Sequence, residues 1–179
     1  KNDPNHLNLG IRYGYIEQLD DELLRISKES FDALSFNCYA LSPDHEKMNH
    51  ALEISGLPMI IGEYHFGTVD RGLAQSLWQV NSEKDSGDAF RYYTENAFAH
   101  RGLIGTGWFR WIDQNINGRT DGENYNCGFI DVTDRPYPYM VDAAIKTAKS
   151  LYEIHSGTKT PFHQAPNAVG HSPIPDLWE

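Results

Sequence analysis

Residues 58–67 read Pro-Met-Ile-Ile-Gly-Glu-Tyr-His-Phe-Gly, an apolar run that ends on a carboxylate. Pro58 to Ile61 have the composition of a strand that is buried on both faces, as strands of parallel sheets are. A strand interior does not hold an unpaired charge, so Glu63 is expected at the carboxyl end of this strand, in a cleft or at the surface. In parallel α/β proteins that end of the sheet carries the active site. Glu63 is therefore the first candidate catalytic residue.

Strand and helix patterns alternate along the rest of the chain. Further strands are predicted at 6–13, 31–39 and 102–109, and helices at 20–28, 42–56, around 89–97 and at 139–155. In the second helix, Ser42 is predicted as the N-cap, Pro43 as the first helical residue and Gly56 as the terminating glycine. The order β-α-β-α-β-α-β-α predicts right-handed crossovers and a parallel sheet.

The lengths of the connections indicate where the active site lies and how much of a barrel is present. The loops after strands, 64–83 and 110–138, are long, which predicts an active site at the carboxyl ends of the strands. A (β/α)8 TIM barrel needs about 250 residues, whereas this chain has 179 and begins at Lys1 instead of methionine. Of an open sheet and an incomplete barrel, we favour the second. The prediction is a half-barrel at 1–157 that supplies strands 5–8, followed by an irregular tail or linker at 158–179.

Composition and charge restrict the partners. The formal net charge of -10 argues against binding to nucleic acid, because no basic surface is available to neutralise phosphates. No segment reaches the about 20 apolar residues of a membrane span, so no membrane partner is predicted. The two cysteines, Cys38 and Cys127, lack metal-type spacing and predict no disulfide framework. They leave the compartment open, and a secreted or periplasmic location is compatible with them.

Several separated motifs occur in an order that resembles a known family. They lie at 62–67, 70–72, 108–114, 118–125 and 128–137. Together they resemble the carboxyl-terminal part of the β-agarases of glycoside hydrolase family 50, in the clan of retaining hydrolases built on a (β/α)8 barrel. The resemblance covers roughly residues 5–157. It implies a retaining glycoside hydrolase that needs no cofactor and acts on a β-linked galactan or galactoside, with agarose-like oligosaccharide or polysaccharide favoured.

The resemblance also implies roles for individual residues. Glu63 matches the nucleophile, and Tyr39 matches a tyrosine that hydrogen-bonds to the nucleophile. Trp108 matches an aromatic platform for the sugar, with Trp111 beside it. The acid/base glutamate of the clan follows an asparagine at the end of strand four, and no such Asn-Glu pair precedes Glu63 in this sequence. The acid/base residue is therefore expected outside this chain.

Further candidates follow from their positions beside these residues. Asn37 shares a strand face with Tyr39, and it either binds a sugar hydroxyl or satisfies buried backbone. His65 is predicted to hydrogen-bond to the substrate. A metal pair of Glu63 and His65 has no third ligand at fitting spacing, so no metal is predicted. Asp113 and Gln114 begin the last long loop and are predicted to bind the substrate near Trp108.

Two alternatives remain at this point. The loop that carries Arg119, Asp121, Glu123 and Asn124 either closes over the substrate or braces itself, and for Arg119 and Asp121 we favour bracing through their opposite charges. The whole chain is alternatively a catalytically incomplete carbohydrate-binding half-barrel, or a subunit that needs a partner chain. Because a half-barrel exposes two sheet edges, it is expected to form a homo-oligomer or to require a missing amino-terminal half.

Overall fold

Strands and helices alternate in the computed structural model, which describes residues 5–74 and 76–171. The strands are β1 Arg12–Tyr13, β2 Leu34–Asn37, β3 Met59–Tyr64, β4 Trp78–Val80, β5 Leu103–Trp108 and β6 Ala168–His171. The helices are α1 Asp21–Ser30, α2 His45–Ser55, α3 Glu83–Phe98 and α4 Pro138–His155, and a short 3₁₀ turn covers Ile16–Gln18. None of these helices is long and apolar enough to cross a bilayer.

The main sheet has four strands in the order β1-β2-β3-β5, and all three neighbouring pairs are parallel. Strands that are neighbours in this sheet are joined through α1, α2 and α3, as crossover connections require. The predicted α/β fold with a parallel sheet is therefore confirmed. The carboxyl ends of these strands lie at one edge of the sheet, where the long loops begin.

One face of the sheet forms the core. Leu34, Phe36, Met59, Ile61 and Leu103 are completely buried there, in a single cluster with apolar residues of the helices. The backbones of β3 and β5 approach closely, since a Cβ on Gly107 would lie 2.7 Å from the carbonyl oxygen of Gly62. The opposite face, which carries Asn37 and Glu63, is only partly covered.

The helix boundaries follow from their capping residues. Asp20 caps α1, and its carboxylate accepts a hydrogen bond from the Leu23 amide at 2.8 Å. The predicted N-cap at Ser42 is wrong, because Asp44 caps α2 and accepts hydrogen bonds from the Glu46 and Lys47 amides. A carboxylate satisfies two free amides here and also complements the positive end of the helix. Gly56 ends α2 in a left-handed conformation, as predicted.

Two segments differ from the predicted elements. The first strand is limited to Arg12–Tyr13, because Asn8 bonds instead to the Ser30 carbonyl and its amide donates to Asp32. The segment predicted as an irregular tail contains strand β6, which pairs antiparallel with β4 of the loop after β3. Residues 158–167 carry neither helix nor strand, and 172–179 lie outside the described residues. The domain boundary at 157 stays a prediction.

Candidate active site

Glu63 lies in a cleft at the carboxyl edge of the main sheet, as its position in the sequence predicts. The cleft around Glu63 has a volume of about 510 Å³. Its lining combines strand ends with loop residues: Arg12, Gly14, Tyr15, Gln18, Asn37, Tyr39, Glu63, His65, Leu77, Phe109, Arg119 and Glu123. This size and this mixture of polar and apolar groups are typical of a small-molecule site.

Three side chains hold the Glu63 carboxylate. The Tyr39 hydroxyl donates to Oε2 at 2.8 Å, and the Asn37 amide donates to the same oxygen at 3.1 Å. The Arg12 guanidinium lies 2.6 Å from Oε1. With only 18% of its side chain exposed, the carboxylate is fixed in one orientation and retains contact with the cleft.

A β-bulge explains why Glu63 points into the cleft and not into the core. Phe36 pairs with Ile61 while Asn37 pairs with Glu63, so Gly62 is an extra residue on β3. Strict alternation from Met59 and Ile61 would place Glu63 in the core, and the bulge reverses that. A Cβ on Gly62 would lie 2.6 Å from Cδ of Arg12. The glycine therefore also leaves the space through which the arginine reaches Glu63.

Tyr39 is held as a hydrogen-bond donor. Burial raises the pKa of its phenol well above the ordinary value, and the negative charge of Glu63 raises it further. The hydroxyl therefore stays protonated across the physiological range and donates to the carboxylate. The hydrogen bond predicted between Tyr39 and Glu63 is present.

Both ring nitrogens of His65 are already engaged by backbone groups. Nδ1 donates to the Phe109 carbonyl oxygen at 2.9 Å, and Nε2 accepts from the Leu77 amide at 3.0 Å. The predicted hydrogen bond from His65 to the substrate is therefore wrong for this arrangement. Instead, the ring packs edge-on against Tyr39, with centroids 4.9 Å apart. His65 supports Tyr39 and contributes ring surface to the cleft wall.

Because His65 is buried, we expect the folded protein to lose stability in acid. Burial lowers its pKa to about 3, whereas its unfolded-state pKa is about 6.5. The unfolded chain therefore binds more protons as the pH falls, and stability is lost between about pH 6.5 and pH 3. At pH 5 this one group is expected to cost about 2 kcal/mol relative to pH 7.

Urea denaturation at pH 7 and pH 5 checks this expectation. His65→Gln should be less stable at pH 7 and should show a smaller difference between the two pH values. The matched control is His163→Gln, since His163 is exposed. An equal pH difference in the protein with and without His65 would show that another group causes the acid sensitivity.

Trp108 is partly buried and packs on the core, and its predicted role as the sugar platform stays a prediction. Trp108 is paired with Tyr64 across β3 and β5, and the two rings are 5.2 Å apart. Its indole also contacts Phe90 and Phe129 and donates to the Cys127 carbonyl oxygen at 2.7 Å. These contacts place it with the aromatic core. The next residue, Phe109, lines the cleft.

Asp113 and Gln114 do not line the cleft, which corrects their predicted role in substrate binding. Asp113 is 4% exposed and accepts hydrogen bonds from the Tyr137 hydroxyl, the Asn126 amide and the Gly128 backbone. Gln114 is fully buried and bonds to Tyr125 and Glu123. A polar pair that is this well satisfied braces the last long loop.

The surface of the last long loop carries the remaining candidates. Trp111 is 69% exposed and stacks on Phe129, and its role in substrate binding stays a prediction. The predicted pairing of Arg119 with Asp121 is present at 2.7 Å. Arg119 also lies 3.3 Å from Glu123, and both of these residues line the cleft.

Sequence reasoning missed several residues of the cleft. Arg12 had a detectable signal, because it stands near the carboxyl end of the first predicted strand, at the same sheet edge as Glu63. The others come from loops and the 3₁₀ turn, whose approach to the cleft has no periodic signature: Gly14, Tyr15, Gln18, Leu77 and Phe109.

The chain is similar to proteins that are named β-agarases. The chain is 37% identical over 156 residues to β-agarase A of Vibrio sp. (strain JT0107), a match covering 83% of this chain and 16% of that protein. The crystal structure of the agarase AgWH50C matches with a TM-score of 0.79 at 36% identity, covering 85% of this chain and 24% of that one. An exo-β-agarase matches with a TM-score of 0.79 at 35% identity, covering 87% and 21%. No family model matches the chain.

The fold and these matches define a class, an α/β domain homologous to part of a glycoside hydrolase. More narrowly, the homologues are β-agarases, and the solved ones are glycoside hydrolase family 50 structures. The resemblance seen in the motifs is therefore confirmed. The chain spans about a sixth of the length of the curated relatives that it matches.

Proposed function

We propose that this chain is part of a retaining glycoside hydrolase that cleaves a β-linked, agarose-like galactan. The observation that carries the proposal is the carboxylate of Glu63, which Arg12, Asn37 and Tyr39 hold at the carboxyl end of a parallel strand, inside a cleft. A nucleophile must be fixed and open to the substrate: the three contacts fix the carboxylate, and the cleft leaves 18% of the side chain exposed. The β-agarase homologues support the substrate class.

The proposed reaction has two displacements. A Glu63 oxygen attacks the anomeric carbon, the bond to the leaving-group oxygen breaks, and that oxygen takes a proton from an acid residue. The same residue then removes a proton from water, whose oxygen displaces Glu63 and releases the sugar. This acid/base residue is expected about 5–5.5 Å from Glu63 and outside this chain. Arg12, Asn37 and Tyr39 orient the nucleophile throughout.

The cleft favours a neutral sugar. Phe109 offers a ring at the wall, and the C–H surface of a sugar stacks on such rings.

Of the two carboxylates in the cleft lining, Glu123 bonds to Gln114 and Arg119. Because these partners occupy the carboxylate of Glu123, it braces the loop, which favours an acid/base residue from elsewhere.

The half-barrel is also part of the proposal. The four parallel strands are ordered as they occur in the chain, and the core lies on one face of their sheet. Strands β1 and β5 are the two edges of this sheet among the described residues. A barrel would close on both edges, with the missing strands supplied by more of the same protein or by a partner chain.

The stereochemistry of the product tests the proposed reaction. The full-length protein that contains this chain is incubated with agaro-oligosaccharides, and the first-formed anomer is followed by ¹H NMR. We expect the β anomer, because two displacements retain configuration. The α anomer would contradict the retaining mechanism. Binding without hydrolysis would favour the catalytically incomplete carbohydrate-binding alternative.

Tyr39→Phe tests the orienting role of Tyr39. Removing the hydroxyl takes away the 2.8 Å hydrogen bond to Glu63 while the ring is retained. We expect kcat to fall about 10²-fold, with KM changed by about twofold or less. The matched control is Tyr152→Phe, since Tyr152 is 89% exposed. A higher KM at unchanged kcat would indicate that Tyr39 binds the substrate instead.

A further inference from the structure

The chain after the last helix returns to the loop that borders the candidate active site. Residues 158–171, which we name the C-terminal brace, end in β6. Strand β6 pairs antiparallel with β4, with Gly170 opposite Gln79 and Ala168 opposite Val80. The Asn81 amide donates to the Asn167 carbonyl oxygen at 3.2 Å, next to this pair.

The other end of the brace is anchored to the helices. The Phe162 amide donates to Oε2 of Glu95 at 2.8 Å, and its carbonyl oxygen accepts from the Asn96 side chain at 3.0 Å. The Arg91 guanidinium lies 4.3 Å from the centre of the Phe162 ring. Glu95 is 1% exposed, so the anchor is a buried, charge-assisted hydrogen bond.

The loop that contains β4 also contacts Tyr39 and His65, two residues that line the cleft beside Glu63. The Trp78 indole donates to the Tyr39 carbonyl oxygen at 2.7 Å, and the Leu77 amide donates to His65 Nε2 at 3.0 Å. Tyr39 and His65 pack against each other, and Tyr39 bonds to Glu63. A continuous series of contacts therefore joins β6 to the carboxylate through β4.

Strand β4 depends on this pairing for its order. Among the described residues, β4 has only three residues and shares its two-stranded sheet with β6 alone. An isolated two-stranded pair is marginally stable. The further support of β4 is its bridge to Gly67, with two backbone hydrogen bonds, and the burial of Val80 in the core. Without β6, Leu77 and Trp78 are expected to move away from His65 and Tyr39 more often.

We infer that the C-terminal brace positions the nucleophile, through β4, Tyr39 and His65, although none of its residues lines the cleft. This inference rests on the proposed function, because it gives a catalytic consequence to a structural contact. The brace residues are positioning residues, and they touch neither the substrate nor the reacting atoms.

Gly170→Ala is the variant that tests the inference. Gly170 has a φ of +120°, which alanine rarely adopts, and a Cβ there would meet no atom within 4 Å. The substitution therefore strains the backbone of β6 without a clash. The matched control is Val169→Thr, which keeps a β-branched side chain at a position that is 60% exposed. Asn167→Ala is a milder second variant that removes only the bond to Asp85.

Two measurements are made on the full-length protein. Hydrogen exchange followed by mass spectrometry reports on residues 65–80, and a fluorinated galactoside inactivator reports on the nucleophile. For Gly170→Ala we expect exchange in this segment to quicken about tenfold. We also expect the rate constant for labelling of the nucleophile to fall about tenfold. The final labelled fraction and the affinity for the inactivator should not change. Asn167→Ala should change both in the same direction by less, and Val169→Thr should change neither.

The outcomes separate this inference from the proposed function. Unchanged exchange, or faster exchange with an unchanged labelling rate, would overturn the inference. A lower labelled fraction at an unchanged rate per site would also overturn it, because that is a loss of folded protein. If the unmodified protein hydrolyses its substrate by inversion and is never labelled, the proposed function fails. In that case the positioning role is tested by kcat alone: it requires a lower kcat for Gly170→Ala than for Val169→Thr.

Discussion

Glu63→Gln is expected to lower kcat on agaro-oligosaccharides by about 10⁴-fold or more in the full-length protein. The amide has the shape of the carboxylate but is a poor nucleophile, so the glycosyl-enzyme does not form. The fold should be preserved, because the ion pair with Arg12 is partly exposed, with 54% of the arginine side chain accessible. Such a pair contributes about 1 kcal/mol or less.

The matched control for this variant is Glu123→Gln, which removes the charge of the other carboxylate in the cleft lining. It is expected to lower kcat by about tenfold or less, because Glu123 braces a loop and takes no part in bond breaking. Equal losses in the two variants would assign chemistry to Glu123 as well. Activity of Glu63→Gln within tenfold of the unmodified protein would exclude Glu63 as the nucleophile.

Asp113→Ala is expected to destabilise the protein by about 3–5 kcal/mol. The substitution leaves the Tyr137 hydroxyl, the Asn126 amide and the Gly128 backbone N–H without their shared acceptor, in a region with almost no solvent access. Burial and the bonded Asp113 charge both raise the pKa of Tyr137. The phenol therefore stays a donor and loses its acceptor when the carboxylate is removed.

Thermal or urea denaturation of the Asp113→Ala protein provides the measurement. Asp121→Ala is the matched control, because Asp121 has 44% of its side chain exposed and pairs with Arg119 at the surface. It should cost about 1 kcal/mol or less. Unchanged stability together with a higher KM for Asp113→Ala would restore the substrate-binding role that the sequence alone suggests.

The parallel sheet and the Glu63–Tyr39 pair were predictable because they depend on local patterns. A buried apolar run, a glycine and a carboxylate mark the carboxyl end of β3, and the alternation of elements brings the end of β2 beside it. The motif resemblance added the relation between Tyr39 and Glu63, and the hydrogen bond between them is present. Arg12 was within reach of the same reasoning, since it stands at the end of the neighbouring strand.

The sequence could not predict whether Trp108 faces the core or the cleft, because this depends on how β3 and β5 pair. The β3–β5 ladder shifts between Met59 and Ile60, where β5 has one extra residue, and such a residue reverses which side chains of the strand face the core. The shift places Trp108 with Tyr64 and leaves the cleft to Phe109. Nothing in the local sequence shows which of the two adjacent aromatic residues, Trp108 or Phe109, faces the cleft.

Asp113 and Gln114 illustrate a different limit. A carboxylate and an amide at the start of a long loop suit a sugar and an internal hydrogen-bond network equally well. Their partners, Asn126, Tyr137 and Glu123, are between nine and 24 residues away in the chain. Only the fold shows that these partners leave no group of the pair free for a ligand. The antiparallel pairing of β4 with β6 is equally non-local.

Trapping the glycosyl-enzyme with a fluorinated galactoside and mapping the labelled peptide is the most direct test of Glu63 as the nucleophile. The full-length protein is incubated with the inactivator, digested and analysed by mass spectrometry. We expect one sugar per protein, attached to Glu63, and no label in Glu63→Gln. A label on any other residue, or sustained hydrolysis of oligosaccharide with no label at all, would contradict the assignment of Glu63.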